Sequence, residues 1–299
     1  MISFKQFLIE GGHATEKYGT SRAKQVDIAA ALKFVSSTIG IPGQELKSSL
    51  LGSTELTLLG KRESSGDIDI AVEINGDNYA TINKKMLAAV DNQGYWNQGA
   101  KIGSYAVPVN SKKVQVDLMF VSSKEWAKFI YHSAEGRGSK YPGAVRNIIL
   151  FTALSFVQEI GKDFVERDED GNITARASRS IKLDKGMERL FKRAKHNPKT
   201  GKTNKTLEKV SAEELASHLK QIGKNIAFEK DADVINVPDE VASFIFGAGV
   251  KAGDIMTAEA VIQMIKAKMH KPGKVLAKVE SELERNNLPI PKELAREIS

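Results

Sequence analysis

Three aspartates in two short apolar runs are the residues best placed to do chemistry. Asp67-Ile68-Asp69-Ile70 opens an alternating stretch, 67–74, and Val116-Asp117-Leu118 lies in a second apolar stretch, 114–121, with Val116, Leu118 and Phe120 two residues apart. Alternation of period two is the signature of a strand buried on one face. Ile68, Ile70, Val72 and Ile74 would then share one face while Asp67 and Asp69 project from the other. Val116, Leu118 and Phe120 leave Asp117 on the opposite face of its strand. If the two strands are neighbours over one core, the three carboxylates converge. Aspartate is a poor strand residue, and clustered like charges repel unless something neutralises them. Hard divalent cations held by oxygen do so, and magnesium (or manganese) suits a few carboxylates completed by water and substrate phosphate. Such ions clamp the attacking and leaving oxygens of an in-line displacement at phosphorus. Asp67 and Asp69 would bind them, and Asp117 would hold the ion nearest the attacking hydroxyl and help take its proton.

The surrounding sequence supplies elements to position these groups. Leu50-Leu51 runs into Gly52-Ser53, where a glycine lets backbone amides approach a phosphate and a serine adds a hydroxyl donor. Thr54, Lys61 and Arg62 lie between that turn and the aspartates, within reach of phosphate oxygens, Arg62 bidentately. A short helix is expected over Ile2–Glu10, ended by Gly11 and Gly12. A longer one is expected over 21–39, capped by Ser21 and closed by Gly40 and Pro42. Residues 78–92 read as a helix, and 104–109 and 114–121 as a hairpin joined by Asn110-Ser111-Lys112-Lys113.

Gly-Ser, then Asp-x-Asp on the next strand, then a third aspartate on a later strand resembles the nucleotidyltransferase superfamily typified by DNA polymerase β. Gly52, Ser53, Asp67, Asp69 and Asp117 match that pattern in order, over roughly residues 20–122. The resemblance implies an α/β (α+β) fold, a small mixed sheet backed by helices. It implies transfer of a nucleoside monophosphate from a nucleoside triphosphate to a hydroxyl, with release of pyrophosphate. Two departures stand out. The gap from Ser53 to Asp67 is longer than usual by a few residues, and Thr54 followed by Glu55 replaces the usual basic residue. In this superfamily the following helical region commonly contacts triphosphate and base, which implies such roles for Lys140 and Tyr141, ahead of a helix expected over 142–160.

Residues 1–122 therefore read as a catalytic domain with amino-terminal helices, and 123–299 as a mainly helical domain. The second opens with a helix at 124–133 and includes a short hairpin, 164–167 with 173–181. Residues 185–195 carry Met187, Leu190, Phe191 and Ala194 at helical spacing, with Arg189, Lys192, Arg193 and Lys195 outside that stripe. Residues 196–206 read as a basic loop, and the chain from Ser211 onward as mostly helical, with a last helix near 274–285. The segment 176–209 packs twelve basic side chains against Asp184, Glu188 and Glu208 in a chain whose net charge is only +7. That density is the footprint of a polyanion site. It marks Arg189, Lys192, Arg193 and Lys195 as nucleic-acid contacts and favours a nucleic-acid 3′ end, RNA first, as acceptor. Two alternatives remain: a protein or small-molecule hydroxyl as acceptor, as in toxin–antitoxin nucleotidyltransferases, or a scaffold that only binds nucleic acid.

Composition narrows the remaining possibilities. The chain has no cysteine among 299 residues, which removes disulfides, thiolate nucleophiles and cysteine-based metal sites. Its five histidines are scattered without metal-ligand spacing. Gly247 to Gly253 lacks the spacing and the βαβ setting of a dinucleotide fingerprint. No signal-peptide or membrane-spanning stretch is visible, so a cytoplasmic protein without membrane contact is expected.

Overall fold

The alternating runs form neighbouring strands. β1 (Ile68–Glu73) pairs in parallel with β4 (Lys112–Val121), β3 (Ile102–Val109) pairs antiparallel on the far side of β4, and β2 (Gly94–Asn97) pairs with β3. The result is a mixed four-stranded sheet in the order β1-β4-β3-β2. The structure, a computed structural model, describes residues 14–74, 78–132, 138–157, 163–196, 203–226, 228 and 234–295. The helix expected over Ile2–Glu10, Gly11 and Gly12 that end it, and most of the basic loop from 196 lie outside the described residues.

The β3–β4 hairpin turns tightly because Asn110 adopts φ +51°, a conformation its short polar side chain tolerates. Ile68, Ile70 and Val72 of β1 and Val116, Leu118 and Phe120 of β4 bury into one core. Helices α1 (Gln25–Ile39) and α4 (Tyr79–Ala89) cover it with Ile28, Leu32, Val35 and Met86. Ser21 does not cap α1. Lys24 occupies the cap position, and Asp27 receives its amide at 2.8 Å. The amide of Ser21 instead donates to the carbonyl of Lys113.

Helix α2 (Gly43–Ser48) leads to α3 (Gly52–Leu58), which begins at the Gly-Ser pair beside β1. After the sheet, α5 (Lys124–Tyr131) lies between two cores. Ala127 packs with Ala71, Met119 and Val121 on the second face of the sheet. Trp126, Phe129 and Ile130 of the same helix enter a core built on α6 (Gly143–Leu154), α8 (Pro238–Phe246), α9 (Ala258–Lys268) and α10 (Pro272–Arg285). Tyr141 and the short α11 (Lys292–Ala295) border that core.

The second half is less helical than its sequence suggests. β5 (Phe164–Arg167), β6 (Ile173–Lys182), β7 (Gly186–His196) and β8 (Thr203–Val210) form an antiparallel sheet in chain order, and α7 (Ala212–Gln221) packs on one face of it. Residues 185–195 are thus a strand rather than the expected amphipathic helix. The spacing of Met187, Leu190, Phe191 and Ala194 fits a helix, yet in the strand Met187 and Phe191 fall on one face and Leu190 and Ala194 on the other. β6 and β8 flank this segment and take up its backbone hydrogen bonds, which outweighs local periodicity. Among the described residues no helix is long and apolar enough to cross a membrane. The chain is a mixed α/β protein.

Candidate active site

Parallel pairing sets Asp69 opposite Asp117, and Asp67 lies just before β1 on the same side. Each of the three carboxylates offers an oxygen within 4.8 Å of the others. Asp117 is 5% exposed, while Asp67 and Asp69 are half-buried. Burial first, then the charges of Asp67 and Asp117, hold the Asp69 carboxyl well above the usual carboxylate range. The ionised form of Asp69 is therefore disfavoured by its two acidic neighbours as well as by burial.

Gly52 lies directly against this cluster. The chain before it runs along β1: Leu51 donates its amide to the Asp69 carbonyl (3.0 Å), and the Ala71 amide donates to Ser49 (2.9 Å). Gly52 adopts φ +55°, and a Cβ there would meet Asp69 Oδ2 at 3.3 Å and the Tyr131 carbonyl at 3.7 Å. Glycine is thus required both by conformation and by the approach of the carboxylate. Ser53 shares a 2.6 Å hydrogen bond with the buried Ser65 hydroxyl. Thr54 is fully buried, and its hydroxyl donates to the Asp67 carbonyl (3.2 Å) and accepts from the Asp69 amide (3.0 Å). Its expected role at phosphate is replaced by a clasp that pins α3 to the strand bearing two aspartates.

Gln115, two residues before Asp117 and so on the same face of β4, was not singled out from sequence. Its Nε2 donates to both Asp117 oxygens (3.0 and 3.1 Å). Its Oε1 accepts from the amide and hydroxyl of Thr15 (3.1 and 2.9 Å), which fixes which end of the amide faces the carboxylate. A polar residue in phase with Asp117 along the strand was the available signal. Gln115→Leu is expected to free the Asp117 carboxylate to rotate and to weaken Mn²⁺ affinity by about 10–100-fold, the usual effect of removing a group that orients a metal ligand. Isothermal titration with Mn²⁺ checks this.

No family model matches the chain, and no curated protein matches it.

The remaining candidates spread over several surfaces. Lys61 and Arg62 are exposed on the turn after α3. The Lys140 amide donates to Glu259, and the Tyr141 hydroxyl donates to Glu293 and accepts from the Lys292 amide. These partners belong to α9 and α11, and none is on the aspartate strands. Arg189 and Arg193 lie on the α7 side of the second sheet, with Asp163 at 3.6 Å and Glu208 at 3.2 Å respectively. Lys192 is on the other face, and Lys195 is exposed. The two sheets meet at the end of β4. The Ser122 amide, just past β4, donates to the Asp184 carbonyl in the β6–β7 turn, and Lys101 pairs with the Asp184 carboxylate at 3.2 Å. Burial, Asp184 and Asp69 together push the Tyr131 hydroxyl above its usual range, so Tyr131 links that turn to the carboxylate cluster.

The donor set fits a hard divalent cation. Three carboxylate oxygens converge, Asp69 carries uncompensated charge, and a side chain at residue 52 would crowd the carboxylate.

Proposed function

We propose that this chain is a metal-dependent nucleotidyltransferase with a polymerase β-like catalytic unit, using Mg²⁺ or Mn²⁺ and a nucleoside triphosphate. The observation that carries this reading is the approach of Asp67, Asp69 and Asp117 to within 4.8 Å beside a glycine whose added Cβ would meet Asp69 Oδ2 at 3.3 Å. Asp67, Asp69 and Asp117 would hold the cation. When bound, such an ion neutralises phosphate charge and acidifies an attacking hydroxyl. Asp117, oriented by Gln115, accepts the hydroxyl proton as the acceptor oxygen bonds to the α-phosphorus. The bond from that phosphorus to the bridging oxygen breaks, and pyrophosphate leaves with the electron pair. Thr54 keeps the Asp67–Asp69 backbone fixed against α3, so the carboxylates are organised before substrate arrives.

The test is a panel of the four labelled nucleoside triphosphates with Mg²⁺ or Mn²⁺, offered RNA, protein and small-molecule hydroxyls. Label transfer with release of pyrophosphate is expected from the wild type. Asp117→Asn is expected to lower it by about 10²–10⁴-fold, the range for loss of a general base. Absence of pyrophosphate release under every combination overturns the reading.

A further inference from the structure

The second sheet carries cations in an arrangement that a solvated helix face would not have. Arg176 on β6 is paired with Lys192 on β7, and Lys192 with Lys209 on β8, so three cations stand in one cross-strand row. Like charges directly opposite one another destabilise a sheet. Along the same face toward the β6–β7 turn come Ser178 and Ser180 on β6, opposite Leu190 and Glu188 on β7. Glu188 is the acid shared by Lys182 at 3.7 Å, Lys185 at 2.5 Å and Lys209 at 3.5 Å. Arg176 and Lys192 have no place in that set, and Arg176 Nε is buried without a hydrogen-bond partner. Burial, with Arg176 and Lys182 nearby, pulls the Lys192 ammonium below its usual range. On the opposite face Arg193 pairs with Glu208 and Arg189 with Asp163, Arg179 lies over the Phe244 ring, and α7 covers part of the strands. Among the described residues no apolar cluster covers the Arg176–Lys192–Lys209 face.

Beside this row is a cavity of about 220 Å³ between β6 and the end of α6. It is lined by Phe151 and Leu154 of α6 and by Arg176, Ser178, Ser180 and Leu190, which share the face of the charged row. It is smaller than the roughly 300–1,000 Å³ of pockets that enclose a drug-sized ligand, which suits one base rather than a whole nucleotide. A charged row flanked by such a cavity is the combination that holds a phosphate backbone and an unstacked base together. The row runs to the turn between Lys182 and Lys185, whose Asp184 meets Ser122 at the end of β4, the strand that carries Asp117, and Lys101.

We infer that this face, and not the Arg189–Arg193 face, binds single-stranded nucleic acid and directs its 3′ hydroxyl to the aspartate cluster. The direction of the strand rests on the reaction proposed above; the binding face does not. An acidic peptide would satisfy the charges but has no base to enter the cavity.

The experiment measures anisotropy of fluorescein-labelled single-stranded RNA and DNA of one sequence at stepped salt, with EDTA and without triphosphate. Lys192→Gln and Lys209→Gln are each expected to weaken binding several-fold and together to reduce the slope of log affinity against log salt by about 1.4, near 0.7 per lost single-strand contact. Arg193→Gln is expected to leave affinity within about twofold of wild type, since it lies on the face that α7 covers. Lys192→Gln relieves like-charge crowding, so its melting temperature is expected to match or exceed that of wild type, which separates lost binding from lost fold. Equal losses in Lys192→Gln and Arg193→Gln, no loss in the double variant, or equally tight competition by polyglutamate overturn the inference. If the double variant loses nucleic-acid binding while the wild type releases no pyrophosphate with any acceptor offered, the reaction reading fails and the binding face stands. If the wild type labels a protein hydroxyl with undiminished rate in the double variant, the reaction stands and this face is not its acceptor site.

Discussion

Asp69→Asn is expected to abolish nucleotidyl transfer while raising the melting temperature of the metal-free protein. Asp69 is held well above the usual carboxylate range by burial and by the charges of Asp67 and Asp117. Its ionised form is thus a cost to the metal-free fold. An amide of the same shape removes the charge and can donate to a neighbouring carboxylate, a relief on the order of 1–3 kcal/mol at the effective dielectric of a partly buried site. For a chain of this size each kcal/mol moves the melting temperature by about 2–4 °C.

The sign of the pH dependence follows from linkage. A carboxyl with a raised folded-state pKa binds more protons in the folded than in the unfolded protein, so stability falls as pH rises from the ordinary value of 3.8 through the raised one. The advantage of Asp69→Asn therefore grows as pH rises through the raised value and disappears below the ordinary carboxylate value. Melting curves from pH 3 to 8 in EDTA measure it. Mn²⁺ at about one hundred times its dissociation constant stabilises the wild type by about 2.7 kcal/mol, and the variant should lose most of that gain. An equal Mn²⁺ shift in both proteins would place the ion elsewhere, and a lower melting temperature in the metal-free variant would mean that Asp69 supports the fold.

What could be read in the sequence was set by how many constraints each residue carries. The strands bearing Asp67, Asp69 and Asp117 were legible because their large branched and aromatic residues, Ile68, Ile70 and Val72 and then Val116, Leu118 and Phe120, all fall on the face toward α1 and α4, so a slip by one residue would drive Asp69 into that core. Gly52 was legible because a Gly-Ser pair stands at a strand end ahead of Asp-x-Asp, where backbone amides can approach a phosphate. Thr54 and Gln115 were less so. Each is a small or medium polar residue whose role depends on a partner distant in sequence, Thr54 on Asp67 and Asp69, Gln115 on Thr15. The strand at 186–196 was misread because long arginine and lysine stems cover apolar surface on either face, which blurs the alternation that distinguishes strand from helix. Splitting Arg189 and Arg193 from Lys192 follows from that strand and could not be seen at helical spacing.

Arg146 is expected to be the most costly single truncation outside the aspartate cluster. It sits in the otherwise apolar α6, 0% exposed, and no acidic partner appears among its hydrogen bonds. Its Nε donates to the Ile255 carbonyl (2.9 Å), and its Nη1 donates to the Phe129 carbonyl (3.2 Å) and to Asn147 Oδ1 (2.8 Å). The guanidinium also lies over the Phe129 ring at 4.1 Å, and burial pulls it down to about 9, still charged at neutral pH. Asn147 in turn donates to the Ile130 carbonyl (3.0 Å). Together the two side chains satisfy carbonyls in the last turn of α5, which have no partner within the helix. That end of α5 carries Tyr131, whose carbonyl abuts Gly52. Arg146→Ala both leaves a cavity and orphans buried carbonyls, and is expected to cost about 3–5 kcal/mol in denaturant unfolding. Arg146→Met separates the two effects. If filled volume alone matters, methionine recovers wild-type stability; if the carbonyls matter, it stays about 1–3 kcal/mol below, for buried acceptors left unpaired. Arg146→Lys is expected to fall short as well, because a compact ammonium cannot span Ile255 and Phe129 while keeping a planar face on the ring. Full recovery by methionine would reduce Arg146 to a space-filling residue and remove it from the support of the Gly52 turn.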